Sequence, residues 1–142
     1  MARLSRVVFL LRDLQQGLRF YRDGLGLRVD AHTESFARLC TSNHVPIELN
    51  LAESEAQLST GYSPFLTFEV DDMDQTVPKL MQLGAALDGS IRYEPYGKIA
   101  AVRSPDGHML GLFEKANLPD DGATALAAAS AARKHMKDNQ TS

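Results

Sequence analysis

The order strand, helix, strand, strand, strand occurs twice along this chain, and that repetition limits the folds open to it more than any other feature. Residues 6–11 (RVVFLL) read as a buried strand, rich in the branched and large apolar residues that suit a pleated surface. Asp13 is placed to cap a helix over residues 14–24, with Leu14, Leu18 and Tyr21 at helical spacing. Gly24-Leu25-Gly26 ends that helix, because glycine readily takes the left-handed conformation of a C-cap. Three strands are predicted next, over residues 27–32, 36–40 and 46–51, followed by a polar connector over 52–62. The pattern then restarts. Residues 65–70 (FLTFEV) form a strand, Asp71 and Asp72 offer a cap, and residues 73–83 form a helix closed by Gly84. Strands follow near 86–91, 100–104 and 109–114, with Ser104-Pro105-Asp106-Gly107 as a turn. Pro78 lies inside the second helical segment and predicts a kink or a late helix start there.

A shift of 59 residues places Val70-Asp71-Asp72-Met73 on Leu11-Arg12-Asp13-Leu14, and Gly84 pairs with Gly26 at a shift of 58. Such near-periodic halves point to a duplicated supersecondary unit. One half alone exposes a face of a four-stranded sheet, so two must pair, and the space between two curved sheets is a cleft. The expected fold class is α+β, with paired βαβββ modules forming a cupped mixed sheet. Residues 1–115 are expected to form this single domain. Residues 116–142 are an Ala-rich tail, read as an appended helix or a frayed end. Asp120-Asp121 would cap a helix over 123–137, and Arg133, Lys134, His135 and Lys137 would complement its C-terminal dipole.

Composition removes several functions. The length of 142 residues suffices for one domain with its own core. A formal net charge of −3 provides no basic field for a phosphate backbone, so nucleic acid is excluded as a partner. Cys40, the one cysteine, has no partner for an internal disulfide, no zinc spacing surrounds it, and it reads as a buried strand residue. The N-terminus enters the first strand without an apolar signal region, and the apolar run 7–11 is too short to cross a bilayer. A cytoplasmic setting with no membrane partner is the expectation. Catalytic triads, Cys-His pairs and phosphate-binding glycine loops are missing from the sequence, and Gly24-Leu25-Gly26 is a helix terminator.

Several stretches resemble one family. Arg12-Asp13-Leu14, with Phe20-Tyr21-Arg22-Asp23-Gly24-Leu25-Gly26-Leu27, is similar to the opening of vicinal-oxygen-chelate domains, the superfamily of glyoxalase, bleomycin-resistance and dioxygenase proteins. Phe68-Glu69-Val70-Asp71-Asp72 resembles the start of that family's second half. Tyr96-Gly97 and Ser104-Pro105-Asp106-Gly107-His108 resemble its ending. The matches span residues 4–114 and leave the tail outside. The resemblance implies the paired βαβββ fold, a small-molecule ligand and a homodimer.

It also implies four metal-ligand positions, two per half, where a divalent ion would need His, Gln or Glu. In this chain they read Arg6, Glu48, Phe65 and Gly111. Arginine has no lone pair to offer, phenylalanine no donor atom and glycine no side chain. One carboxylate cannot hold a zinc, nickel or iron ion, so no metal cofactor is expected. Glu48 in a partly dry site would be costly if ionised and unpaired, and Arg6 can meet it with a planar fork. That pair reads either as an anchor for a polar ligand group or as a plain salt bridge.

Period-2 alternation extends the candidate ligand-binding set: Asn50 shares the face of Glu48, Thr67 and Glu69 share that of Phe65, and Val8 and Leu10 that of Arg6. Met109 and Phe113 share the face of Gly111, and all of these apolar residues double as ordinary core. Tyr93, Tyr96 and Lys98 are placed in a loop that in this family folds over the cleft, with Tyr96 either stacking on a ligand or packing the loop. His108 reads either as an acid or base near neutral pH or as a solvated turn residue, His32 and His44 lack partners at ligand spacing, and Asp71 and Asp72 serve as helix caps, not as a calcium or magnesium site with Glu69 and Asp74. Three functions compete. The first is a metal-free protein that binds a small molecule. The second is a glyoxalase-like lyase, isomerase or dioxygenase using Glu48 as its catalytic group. The third is a protein-interaction module.

Overall fold

A computed structural model describes residues 3–58 and 64–117. The chain divides into two compact units, Met1–Ser59 and Thr60–Ser142, each containing its own four-stranded sheet. The tail helix expected over 123–137, its cap at Asp120-Asp121 and His135 lie outside the described residues.

In the first unit, β1 (Val7–Leu11) leads into α1 (Leu14–Leu18), which continues as a wider turn over Arg19–Gly24. β2 (Arg28–His32), β3 (Phe36–Cys40) and β4 (Pro46–Leu51) follow, giving a sheet ordered β1-β4-β3-β2. β1 runs parallel to β4, whereas β4 and β2 both run antiparallel to β3. Sequence chemistry sets the helix boundaries. The Asp13 carboxylate accepts from the Gln16 N–H at 3.1 Å, satisfying one of the orphan donors of the first turn. At the other end Gly26, with φ of 77°, lets the chain reverse so that the Leu27 N–H reaches the Tyr21 carbonyl at 3.0 Å. The core lies between this helix and one face of the sheet. Phe9, Leu11, Ala37, Leu39, Ile47 and Leu49 are buried, as are Leu14, Leu18, Phe20 and Tyr21. Phe9 and Tyr21 stack at 5.3 Å between ring centroids, and each such large side chain taken from water contributes about 1.5–3 kcal/mol. A short 3-10 turn, Glu55–Leu58, follows β4, and the Glu55 carboxylate accepts both guanidinium arms of Arg12 at 2.6 and 2.7 Å.

The second unit repeats the path with β5 (Leu66–Glu69), α2 (Met73–Gln82), β6 (Ala86–Glu94), β7 (Gly97–Arg103) and β8 (Met109–Lys115), ordered β5-β8-β7-β6. As in the first unit, the outer strand β5 is parallel to β8 and the remaining pairs are antiparallel. Asp72 caps α2 through the Gln75 N–H at 3.2 Å, and the Glu114 carboxylate takes the Met73 N–H at 2.6 Å. Gly84, with φ of 102°, occupies the place of Gly26. Met73, Val77 and Leu80 are buried, as are Ala100, Val102, Leu110 and Leu112. The expected α+β class, two βαβββ modules each with a four-stranded mixed sheet, is the observed one.

Two expectations need correction. α2 starts at Met73 and runs through Pro78, so the helix start is not late. Capping by Asp72 and Glu114 holds the first turn, and the proline removes one interior N–H without ending the helix. The loop expected around Tyr93, Tyr96 and Lys98 is a hairpin: Tyr93 belongs to β6, Lys98 to β7, and only Pro95 and Tyr96 form the turn. An irregularity between Asp88 and Arg92 absorbs Gly89 and Ser90, which break the alternation in the sequence without ending the strand.

Candidate functional site

With the odd-numbered residues of β1 and β3 turned toward α1, the even-numbered ones lie on the helix-free face of the first sheet. Parallel pairing sets Val8 beside Glu48 and Leu10 beside Asn50. Antiparallel pairing sets Glu48 beside Arg38 and Asn50 beside Phe36. Arg6 stands just before β1 on the same alternation.

These positions assemble a three-residue charged group. Glu48 is 5% exposed, while the Arg6 and Arg38 side chains are 51% and 50% exposed. The Arg6 Nε lies 3.0 Å from Glu48 Oε2, and the Nε and Nη2 of Arg38 donate to Oε1 at 3.2 and 3.1 Å. Oε1 therefore accepts two charge-assisted hydrogen bonds and Oε2 faces the Arg6 cation in an ion pair, which compensates the buried carboxylate. The Arg38 guanidinium also lies 5.5 Å from the centroid of the Phe36 ring, within cation–π range. The sequence predicts the pairing of Arg6 with Glu48. It leaves Arg38 unmarked, although alternation with the fully buried Ala37 and Leu39 is a usable signal for its face.

In the second unit the corresponding face has another character. Thr67 pairs with Gly111, which pairs with Ala101. A Cβ at position 111 would meet Thr67 Oγ1 at 2.5 Å and the Phe65 ring at 2.9 Å, so these two side chains occupy the space over the glycine. The four positions that the resemblance marks as ligand positions thus hold a guanidinium ion-paired with Glu48, the Glu48 carboxylate, an aromatic ring and the glycine beneath it. This donor set does not fit a divalent metal.

The other expected site residues disperse. Met109 is buried in β8, and Phe113 packs its ring against Gly97. Tyr96 sits in the β6–β7 turn, where burial pushes its hydroxyl above the ordinary tyrosine range. Asp74 is bound by the Lys98 ammonium at 2.7 Å and the Tyr93 hydroxyl at 2.8 Å. Those hydrogen bonds, Lys98 first, hold its carboxyl below the usual range. The contacts tie the first turn of α2 to the hairpin. His108 follows the β7–β8 turn, and burial pushes its imidazole below the ordinary histidine range. His32 and His44 are exposed and Cys40 is buried. Among the described residues no group of three or more His, Cys, Asp or Glu side chains is arranged to hold a metal, and no helix is long and apolar enough to cross a membrane.

A family model described as the Glyoxalase/Bleomycin resistance protein/Dioxygenase superfamily matches residues 3–112. The uncharacterized protein YraH of Bacillus subtilis (strain 168) is 26% identical over 125 residues, covering 79% of this chain and 98% of that protein. Among solved structures, a glyoxalase/bleomycin resistance protein/dioxygenase family enzyme from Burkholderia phytofirmans PsJN is similar with a TM-score of 0.68 and 23% identity. That similarity covers 81% of this chain and all of the other. The fosfomycin resistance protein FosX from Mesorhizobium loti is similar with a TM-score of 0.65 and 19% identity, over 82% of this chain and 95% of its own. At these identities the structural likeness establishes the fold alone.

Proposed function

The chain belongs to the Glyoxalase/Bleomycin resistance protein/Dioxygenase superfamily, and on that premise we propose that it binds a small molecule without using a metal ion. The observation that carries this reading is the paired replacement at the ligand positions. Arg6 brings a cation to one of them, and the Phe65 ring covers Gly111 at another. Arg6, Glu48 and Asn50 of the first half and Phe65, Thr67, Met109 and Phe113 of the second are the proposed binding residues, with Tyr96 at the hairpin turn. The first set is polar beside the apolar Val8 and Leu10, and the second is apolar with Thr67 as a polar group; small-molecule sites mix the two in this way. The same reading keeps the homodimer and the cytoplasmic setting expected from the resemblance.

A lyase or dioxygenase using Glu48 as a general base is less well supported, because one oxygen of that carboxylate accepts two Arg38 N–H donors and the other is ion-paired with Arg6. Metal analysis of the protein purified without chelators is the test. Less than about a tenth of an equivalent of transition metal is the expected result, since one carboxylate is too few ligands. One tightly held equivalent would overturn the proposal.

A further inference from the structure

Two arginines meet one carboxylate on the helix-free face of the first sheet, and the charges do not cancel. Arg6 and Arg38 bring two positive charges, Glu48 returns one, and the group keeps a net charge of +1. Asp30 lies within the field of Arg38, but it is paired with Arg28, whose Nε donates to its Oδ1 at 2.8 Å, so the Arg28–Asp30 pair adds no net charge. A structural ion pair needs only one cation. The second is held half-exposed on a strand whose neighbours on the same face, Val8, Leu10 and Phe36, are apolar.

The bonding pattern gives the arrangement a direction. Each guanidinium has five N–H donors. Arg6 uses Nε on Glu48 and Nη1 on the Ser5 hydroxyl at 3.4 Å, and Arg38 uses Nε and Nη2 on Glu48. Arg6 Nη2 and Arg38 Nη1 stand outside these contacts, on side chains about half in solvent. The largely buried Glu48 holds Arg38 by the Nε–Nη2 edge and Arg6 through Nε, which reduces the conformational freedom an arginine normally gives up on binding.

We infer that Arg6 and Arg38 form an oxyanion site and that the ligand carries a carboxylate or a phospho group. Glu48 is the positioning residue that fixes the two guanidinium groups. This deepens the small-molecule reading above and rests on it. Carboxylate and phospho groups share the feature that matters at such a site, equivalent oxygens that a planar fork can meet two at a time.

The experiment follows the arginine Nε–H resonances of the nitrogen-15-labelled full chain during titration with methylphosphonate, acetate and neutral acetamide. Methylphosphonate or acetate is expected to shift the signals of Arg6 and Arg38 and to bind less tightly as salt rises, while acetamide shifts neither. Arg6→Met and Arg38→Met should each weaken anion binding about 10-fold, the worth of one charged hydrogen-bonding partner. Arg19→Met, an exposed arginine in the turn that follows α1, should change it by less than about 2-fold if only general surface charge is lost. Glu48→Gln distinguishes positioning from charge. It raises the positive charge of the site, yet its amide turns a donor toward one guanidinium, so weaker binding is expected and tighter binding would overturn the role given to Glu48. Should the Glu48 variant fail to fold, the two arginine variants still decide the anion site. Neutral fragments shifting this face while neither anion does would defeat the anion inference and leave small-molecule binding standing. A tightly held metal together with anion binding that persists in chelator would defeat the metal-free reading and leave the anion site standing.

Discussion

The two halves of this chain follow one path with the same pairing pattern, and their helix-free faces carry different chemistry. Each begins with a strand, caps its helix with an aspartate bonded to the N–H three residues on, and leaves the helix through a glycine of positive φ. The hairpin turns agree in detail. The Thr41 N–H donates to the Val45 carbonyl and the Val45 N–H to the Thr41 hydroxyl, while Ser104 and His108 repeat both bonds. Register makes Phe65, Gly111 and Ala101 the counterparts of Arg6, Glu48 and Arg38. Backbone hydrogen bonding and helix packing allow few substitutions, so those features match. The helix-free faces are under no such restriction, and there one half holds a clasped carboxylate and the other a ring over bare backbone.

The largest effect that would test this contrast is expected at Gly111. Gly111→Ala should destabilise the fold by about 1–3 kcal/mol, the range for overpacking a filled site, as measured by urea unfolding. In a Phe65→Ala background the loss should shrink by at least about 0.5 kcal/mol, a coupling typical of residues in contact. Equal losses in both backgrounds would mean that the ring does not fill the space over the glycine. A smaller effect concerns the turns. His44 holds a φ of 69° where the second half has Gly107 at 93°. His44→Gly should relieve about 1–2 kcal/mol of left-handed strain against about 0.5–1 kcal/mol of added chain entropy. A small rise in thermal midpoint is the expected outcome, and a fall would break the equivalence of the two turns.

The smallest effect is a pH dependence peculiar to the second half. Burial lowers the His108 pKa, so the unfolded chain takes up the proton first as pH falls. The stability due to neutral His108 is full above the unfolded value near 6.5 and is lost as pH drops from there through the folded value. Unfolding titrations at about pH 7.5 and 5.5, on either side of that value, should show a decline that His108→Asn reduces. An identical decline in the variant would remove His108 as its source.

Legibility in the sequence divides along the same line as the chemistry. The helix-facing sides of the strands are readable because burial forces alternation, and the strands expected over residues 36–40 and 46–51 match β3 and β4 end for end. The β6–β7 hairpin is hidden in the sequence because Gly89, Ser90 and Pro95 interrupt the alternation where the strand bulges and turns. Arg6 and Glu48 can be named through the resemblance, which marks both positions. Arg38 cannot, since its place opposite Glu48 depends on the register between β3 and β4. The turn over 41–45 sets that register, and the local pattern of either strand does not contain it.

The crowding over Gly111 also bears on how this protein can change. A ligating histidine or glutamate entering first at position 111 meets a cost, because its Cβ would fall against Thr67 and the Phe65 ring. A smaller residue at position 65 beforehand lowers that cost, and on the other half Arg6 keeps its hold on Glu48. Substitutions toward a ligand at position 111 are therefore easiest in one order, with position 65 changed first. For a laboratory lineage seeking new side chains on this face, position 65 is the easier entrance and position 111 costs least once it has been passed.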